Sequence, residues 1–138
     1  MQTKVLIIAV IKKDNAVLMR KKPNDSPPYK ETWYLFGAEA VAEKSPEQAL
    51  KEHVKRQTGI DITVTQNLSW DTEVKYDIDG VQKFFIYLDV LCEYQGGKLT
   101  LSPGIEKLEW IEVEKLATYD LVPPTRKLFH KLGYISAE

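Results

Sequence analysis

Residues 33–60 read W-Y-L-F-G-A-E-A-V-A-E-K-S-P-E-Q-A-L-K-E-H-V-K-R-Q-T-G-I, and this stretch decides the fold. Its opening, Trp33-Tyr34-Leu35-Phe36, predicts a compact strand closed by Gly37. Ser45 then offers a side-chain oxygen to cap a helix, and Pro46 suits the first helical position. Glu47 and Gln48 sit in the favoured first turn. Leu50 and Val54, four residues apart with Ala49 beside them, form one apolar stripe. Gly59 after Thr58 is the stop, so the helix is predicted over about Pro46 to Thr58.

Upstream, residues 3–13 are rich in β-branched residues and end at Asp14-Asn15 before a second apolar run, Ala16-Val17-Leu18-Met19. This is a hairpin signal. Lys21 to Thr32 is polar and carries three prolines, so it reads as a loop, long enough to suspect function. Downstream, Ile62–Tyr76 and Val81–Tyr94 are strands joined by Asp77-Ile78-Asp79-Gly80, with Asp-Gly marking the turn. Gln95-Gly96-Gly97-Lys98 reads as another turn and Leu108–Val113 as another strand. A closing helix is expected from about Pro123 to Leu132 before Gly133. The resulting order, β-β-β-α-β-β-β-α, lacks the regular alternation of a parallel sheet. It predicts an α+β fold with a mixed sheet.

The chain of 138 residues fits a single domain, 1–138, with 43% apolar and 28% charged residues. A formal net charge of −1 gives no overall pull toward nucleic acid or anionic membrane, so nucleic acid is an unlikely partner. Cys92 is the lone cysteine. It excludes an intramolecular disulfide and a cysteine-based zinc site, and its apolar neighbours Val90-Leu91 predict a buried, inert thiol. The apolar run Val5–Ile11 is too short to span a membrane and lacks a signal-peptide cleavage site, so a cytoplasmic location is the default.

The order of these features resembles the Nudix (MutT-like) hydrolases, whose box reads G-x5-E-x7-R-E-U-x-E-E-x-G-U with U a bulky aliphatic. The likeness covers nearly the whole chain. It takes in the early hairpin, the tryptophan strand into Gly37 and the Ser45-Pro46-Glu47-Gln48-Ala49 helix start. It continues through Glu106-Lys107-Leu108-Glu109-Trp110 and the Pro123-Pro124-Thr125-Arg126 helix. The resemblance implies an α/β/α sandwich around a mixed, mostly antiparallel sheet, and hydrolysis of nucleoside diphosphate derivatives with a divalent metal.

The box itself is degenerate. Anchored on Gly59-Ile60 and Ser45-Pro46-Glu47, its glutamates fall on Lys44, His53, Arg56 and Gln57, its arginine on Glu52 and its leading glycine on Ala38. Anchored on Gly37 it recovers Glu43 and Glu52, puts Lys51 at the arginine and His53 in the aliphatic slot, and sets Lys55-Arg56 at the paired glutamates. The first register is preferred because it buries Val54 one turn after Leu50. Either way the adjacent glutamates are gone. Magnesium needs hard oxygen ligands. A unit charge ~4 Å from another contributes ~4 kcal/mol at an effective dielectric near 20, so an arginine in that shell repels the ion strongly. No metal site and no cofactor are therefore expected, and turnover should be weak or absent.

Two accounts of the helix charges remain open. Glu47 with Lys51, and Glu52 with Arg56, have the spacing of solvated i,i+4 pairs. Alternatively His53, Lys55 or Arg56 contact a phosphate where a metal would sit. The resemblance also makes Arg20, Lys21, Gly37 and Ala38 ligand-binding candidates beside His53 and Arg56. An active, non-standard hydrolase is the rival, with Glu43, Glu52 and Glu106 catalytic and magnesium or manganese its metal; Glu39, Asp71 and Glu73 are further candidate metal ligands. A third reading is a protein-interaction module. Tyr29, Tyr34 and Tyr76 are candidates for stacking on a base, whereas Trp33, Trp70 and Trp110 are expected in the core. His130 receives no functional role. The expected partner is a nucleotide-like small molecule, with a homodimer possible.

Overall fold

The computed structural model describes residues 1–136. In chain order the elements are β1 (Thr3–Lys13), β2 (Ala16–Lys21), β3 (Trp33–Tyr34), β4 (Phe36–Glu39), α1 (Pro46–Thr58), β5 (Ile60–Tyr76), β6 (Gln82–Gly97), β7 (Lys107–Glu112), a 3-10 turn over Val113–Thr118 and α2 (Pro123–Lys131). The strands form one mixed sheet in the order β3-β2-β1-β6-β5, with β4 pairing β1 and β7 pairing β2. Among the described strand pairings β1 and β6 run parallel and the others are antiparallel. The fold is α+β, as the element order predicted, with the mixed, mostly antiparallel sheet that the resemblance implied.

Strand alternation gives the sheet two apolar faces. Ile7, Ala9, Ile11, Phe36 and Ala38 pack with Leu50 and Val54 of α1 on one side. Val10, Val17, Met19 and Leu35 pack with Leu128 and Phe129 of α2 on the other. The α1 boundaries match the sequence signals. Ser45 Oγ accepts the Gln48 amide at 3.1 Å, and Gly59 ends the helix at φ 82°. Glycine is needed there twice over, because a Cβ would also lie 2.7 Å from the Lys98 carbonyl oxygen.

Three sequence expectations need correction, and one element lies outside them. The strand expected over residues 33–36 is two strands broken at Leu35: Trp33 and Tyr34 pair with β2, whereas Phe36 to Glu39 pair with β1. The chain steps from one strand to the other because β1 and β2 pair only next to their turn, at Lys12 with Val17 and Lys13 with Ala16. The sheet therefore forks. The turn expected at residues 95–98 lies within β6 as far as Gly97, because β5 still pairs there. Trp70 is not core. It is 71% exposed, since β5 is an edge strand and α1 packs on only its first residues, Ile60, Ile62 and Val64. The 3-10 turn after β7 was not foreseen. Cys92 is fully buried, and burial pushes its thiol up to about 12, consistent with an inert side chain. No helix among the described residues is long and apolar enough to cross a membrane.

Candidate functional site

The fork opens into a cavity of about 280 Å³ on the α2 side of the sheet. Its floor is the α2-facing register of three strands: Lys4, Leu6 and Ile8 of β1, Phe85, Tyr87 and Asp89 of β6, and Asp71 and Lys75 of β5. One wall is the 22–32 loop, through Pro27, Pro28 and Tyr29, with a cis peptide between the prolines. Lys22 holds that loop in place, its ammonium donating to the carbonyls of Ser26 and Tyr29. The opposite end reaches Arg20, Tyr34 and Gly37, at the fork. The floor mixes apolar Leu6, Ile8 and Phe85 with polar Lys4, Asp71, Lys75 and Asp89, and Pro124, Thr125 and Leu128 of α2 bound the cavity opposite it.

Arg20 connects the cavity to the box helix. Its guanidinium carbon lies 4.0 Å from the Tyr34 ring centre and 4.5 Å from that of Phe36. His53 sits against the same Phe36 ring, centroids 6.4 Å apart and edge-on. Burial brings Arg20 down to about 10. His53 is lowered to about 4, first by burial and then by the positive charges of Arg20 and Arg56. Among the described residues, buried Nε of Arg20 and Nε2 of His53 have no hydrogen-bond partner. Arg56 projects from the next turn of α1 and is exposed.

At the other end the polar groups satisfy one another. Tyr29 and Tyr87 both donate to Oε1 of Glu73, the latter at 2.6 Å. Lys75 donates to the Tyr29 hydroxyl at 3.0 Å and lies 4.6 Å from the ring centres of Tyr29 and Phe85. Burial lowers the Lys75 pKa despite Glu73 beside it. Asp77 binds Lys4 and Lys83, each at 2.9 Å, and these contacts hold its carboxyl well below the usual carboxylate range. Sequence reasoning missed this network, because its members come from the loop, β5 and β6. The only signal was the odd-numbered polar run Asp71-Glu73-Lys75-Asp77 on one face of β5.

The structure sorts the sequence candidates. Arg20 and Gly37 line the cavity, and His53 and Arg56 adjoin Arg20 from α1. Lys21 faces away, paired with Glu106 at 3.1 Å. Ala38 is buried in the α1 core, not at the cavity. Glu52 pairs with Lys44 at 2.6 Å rather than with Arg56, and Lys55 pairs with Asp61 at 3.2 Å. Neither expected i,i+4 pair forms among the described residues. Glu43 is exposed in the turn before α1. The three acids of the hydrolase reading, Glu43, Glu52 and Glu106, are therefore not brought together. Tyr29 and Tyr34 line the cavity, whereas Tyr76 is 62% exposed and does not.

The resemblance implies a divalent cation on α1, and the donor set there does not fit one. Val54 is fully buried while His53 is half-exposed, so Val54 takes the aliphatic position and His53, Arg56 and Gln57 share the face that would carry ligands. Two of those three are neutral donors, the third is cationic, and Glu52 is held by Lys44. Among the described residues no three His, Cys, Asp or Glu side chains cluster closely enough to hold a metal ion.

A forked mixed sheet between two helices, with a cleft leading to the box helix, defines a Nudix architecture, and comparison with known proteins agrees. The family model for the NUDIX domain matches residues 1–132. This chain belongs to the Nudix family. A relative named nucleoside triphosphatase NudI, from Enterobacter sp. (strain 638), is 26% identical over 98% of this chain and the whole of its own length. Among solved structures, a NUDIX hydrolase from Nitrosomonas europaea superposes with a TM-score of 0.76 at 14% identity, covering 96% of this chain and 89% of its own. The E. coli ORF135 protein gives a TM-score of 0.72 at 21% identity, covering 99% and 93%.

Proposed function

We propose that the cleft binds a nucleotide or similar phosphorylated small molecule, with its phosphates at Arg20, Gly37, His53 and Arg56, and that metal-dependent hydrolysis at α1 is weak or absent. The observation that carries this reading is the pair of cationic arginines, Arg20 and Arg56, with His53, neutral above about pH 4, beside them. Among the described residues two buried nitrogens lack partners at the box-helix end, one on Arg20, which lines the cleft, and one on His53, which adjoins Arg20 from α1. An anion supplies the missing acceptors, and Arg56 adds charge from the next turn. Gly37 belongs to this end because it has no side chain to block the approach; a Cβ there would come within 2.8 Å of Ile8 Cδ1. Binding of this kind gives ground-state affinity, and affinity alone does not lower a barrier.

A second reading is supported by the relatives named nucleoside triphosphatase, which match over their full length. In it the chain hydrolyses nucleoside triphosphates or diphosphate derivatives, with Glu43, Glu52 and Glu106 as the acids and magnesium or manganese as the metal. It requires Glu52 to leave Lys44 and Glu106 to leave Lys21.

One experiment separates them. The purified protein is screened for melting-temperature shifts with nucleotides, nucleotide sugars and dinucleotides, with EDTA and with magnesium or manganese, and the same mixtures are assayed for released phosphate. Our reading expects stabilisation in EDTA, about 2.7 kcal/mol at a hundredfold excess over Kd, and little or no phosphate. Metal-dependent turnover lost in Glu52→Gln establishes the second reading and removes ours.

A further inference from the structure

The floor of the cleft holds a carboxylate one of whose oxygens accepts no hydrogen bond among the described residues. Asp89 is only 6% exposed and faces the cavity from β6. Ser69 donates to its Oδ2 at 2.9 Å, and among the described residues no hydrogen bond reaches Oδ1. Burial raises its pKa, while Ser69 and Lys131 act the other way and Asp71 adds to the rise. Oδ1 is not sealed from solvent but opens to the cavity, so a ligand that displaces water from the cleft leaves this acceptor dependent on an N–H or O–H of its own. Asp71, the nearest comparable acid on the floor, is already paired with Lys127 at 2.8 Å.

Its place in the sheet gives the distance from the phosphate end. Ile8 of β1 is flanked by Gly37 on β4 and by Asp89 on β6, so the three residues form one row across the sheet. Two strand spacings separate Gly37 from Asp89, about 10 Å. A nucleoside phosphate anchored at Gly37 and Arg20 lays its sugar over Ile8 and brings its base to Asp89. Beside Asp89, Tyr87 and Phe85 continue along the same strand with their rings stacked, 18° apart, and add apolar surface to the cavity there.

We propose that Asp89 selects the base of the bound nucleotide, accepting a hydrogen bond from an exocyclic amino group and so favouring adenine or cytosine over hypoxanthine or uracil. This inference rests on the reading of the cleft as a nucleotide site. An oxo group in place of the amino group turns a lone pair toward Oδ1, and two acceptors then face each other in a buried place.

The test is equilibrium binding in EDTA of two pairs differing at that group, ADP against IDP and CDP against UDP, with inorganic pyrophosphate and dADP as controls. The amino member of each pair should bind at least about tenfold more tightly, the effect of one hydrogen bond to a charged group. Asp89→Asn keeps the shape and the acceptor for Ser69 but presents an amide N–H in place of Oδ1, so the preference should vanish or invert. Equal affinities within each pair overturn the inference, as does a preference unchanged in Asp89→Asn. A tenfold loss for dADP, with ADP and IDP equal, also overturns it by assigning Asp89 to the sugar. If Asp89→Asn does not fold, the wild-type ratios alone decide. Nucleotides binding no better than pyrophosphate would instead overturn the nucleotide-site reading, and this inference with it.

Discussion

The two ends of the cleft are both polar and both partly buried, yet they differ in how their charges are satisfied. At the hairpin end Glu73, Lys75, Tyr29 and Tyr87 bond to one another, and Lys4, Asp77, Lys83 and Asp79 form a second closed set. At the box end Arg20 and His53 keep buried nitrogens without partners, and both are shifted by surroundings that disfavour their charge. A closed network stabilises the fold and asks nothing of a ligand. An open one costs stability until a ligand closes it. The difference separates a structural end from a binding end.

The largest test of this contrast lies at the closed end. Glu73→Ala removes the acceptor of two tyrosine hydroxyls and the partner of Lys75, leaving three part-buried groups without it. The expected loss is ~2–4 kcal/mol of unfolding free energy. It is measured by urea denaturation, and pyrophosphate affinity should change little in the folded variant. An unfolding free energy within ~0.5 kcal/mol of wild type would show that this end is not the structural one.

At the open end the effect should fall on affinity instead. Arg56→Glu changes an exposed side chain, so stability should hold within ~0.5 kcal/mol. Reversing its charge beside a bound diphosphate should weaken pyrophosphate binding in EDTA by at least about tenfold. Because the contact is exposed, 0.5 M salt should narrow that difference. Unchanged affinity would place the phosphates elsewhere and remove Arg56 from the site.

These two ends were not equally legible in the sequence. The box helix was, down to its caps, because capping and burial at i and i+4 are local and Ser45, Pro46, Leu50, Val54 and Gly59 each act through neighbours within a turn. Its cationic face was legible for the same reason. The hairpin end was not, because Tyr29, Glu73 and Tyr87 meet only once the loop folds over strands 44 and 58 residues further on. The fork was also missed. Trp33 to Phe36 carries one continuous apolar pattern, and nothing local marks Leu35 as the point where the chain leaves β2 for β1. Asp89 looked like any strand acid; its burial depends on β5 supplying Ser69 across the sheet.

The smallest expected effect is a pH dependence that divides the ends. His53 is held neutral in the folded chain down to about 4, whereas an unfolded histidine takes up its proton near 6.5. Between those values the unfolded state binds more protons, so the contribution is complete above pH 6.5 and is lost as pH falls toward 4. His53→Gln should remove that slope, and melting temperatures at pH 7, 5.5 and 4.5 should show wild type losing a few degrees relative to the variant. The hairpin carboxylate responds elsewhere. Lys4 and Lys83 depress Asp77, so its contribution is present above the ordinary value of 3.8 and is lost only below it, outside the histidine window. Parallel acid profiles for wild type and His53→Gln between pH 6.5 and 4.5 would mean that neither burial nor the positive charges of Arg20 and Arg56 hold His53 neutral. The box end would then be no more open than the hairpin.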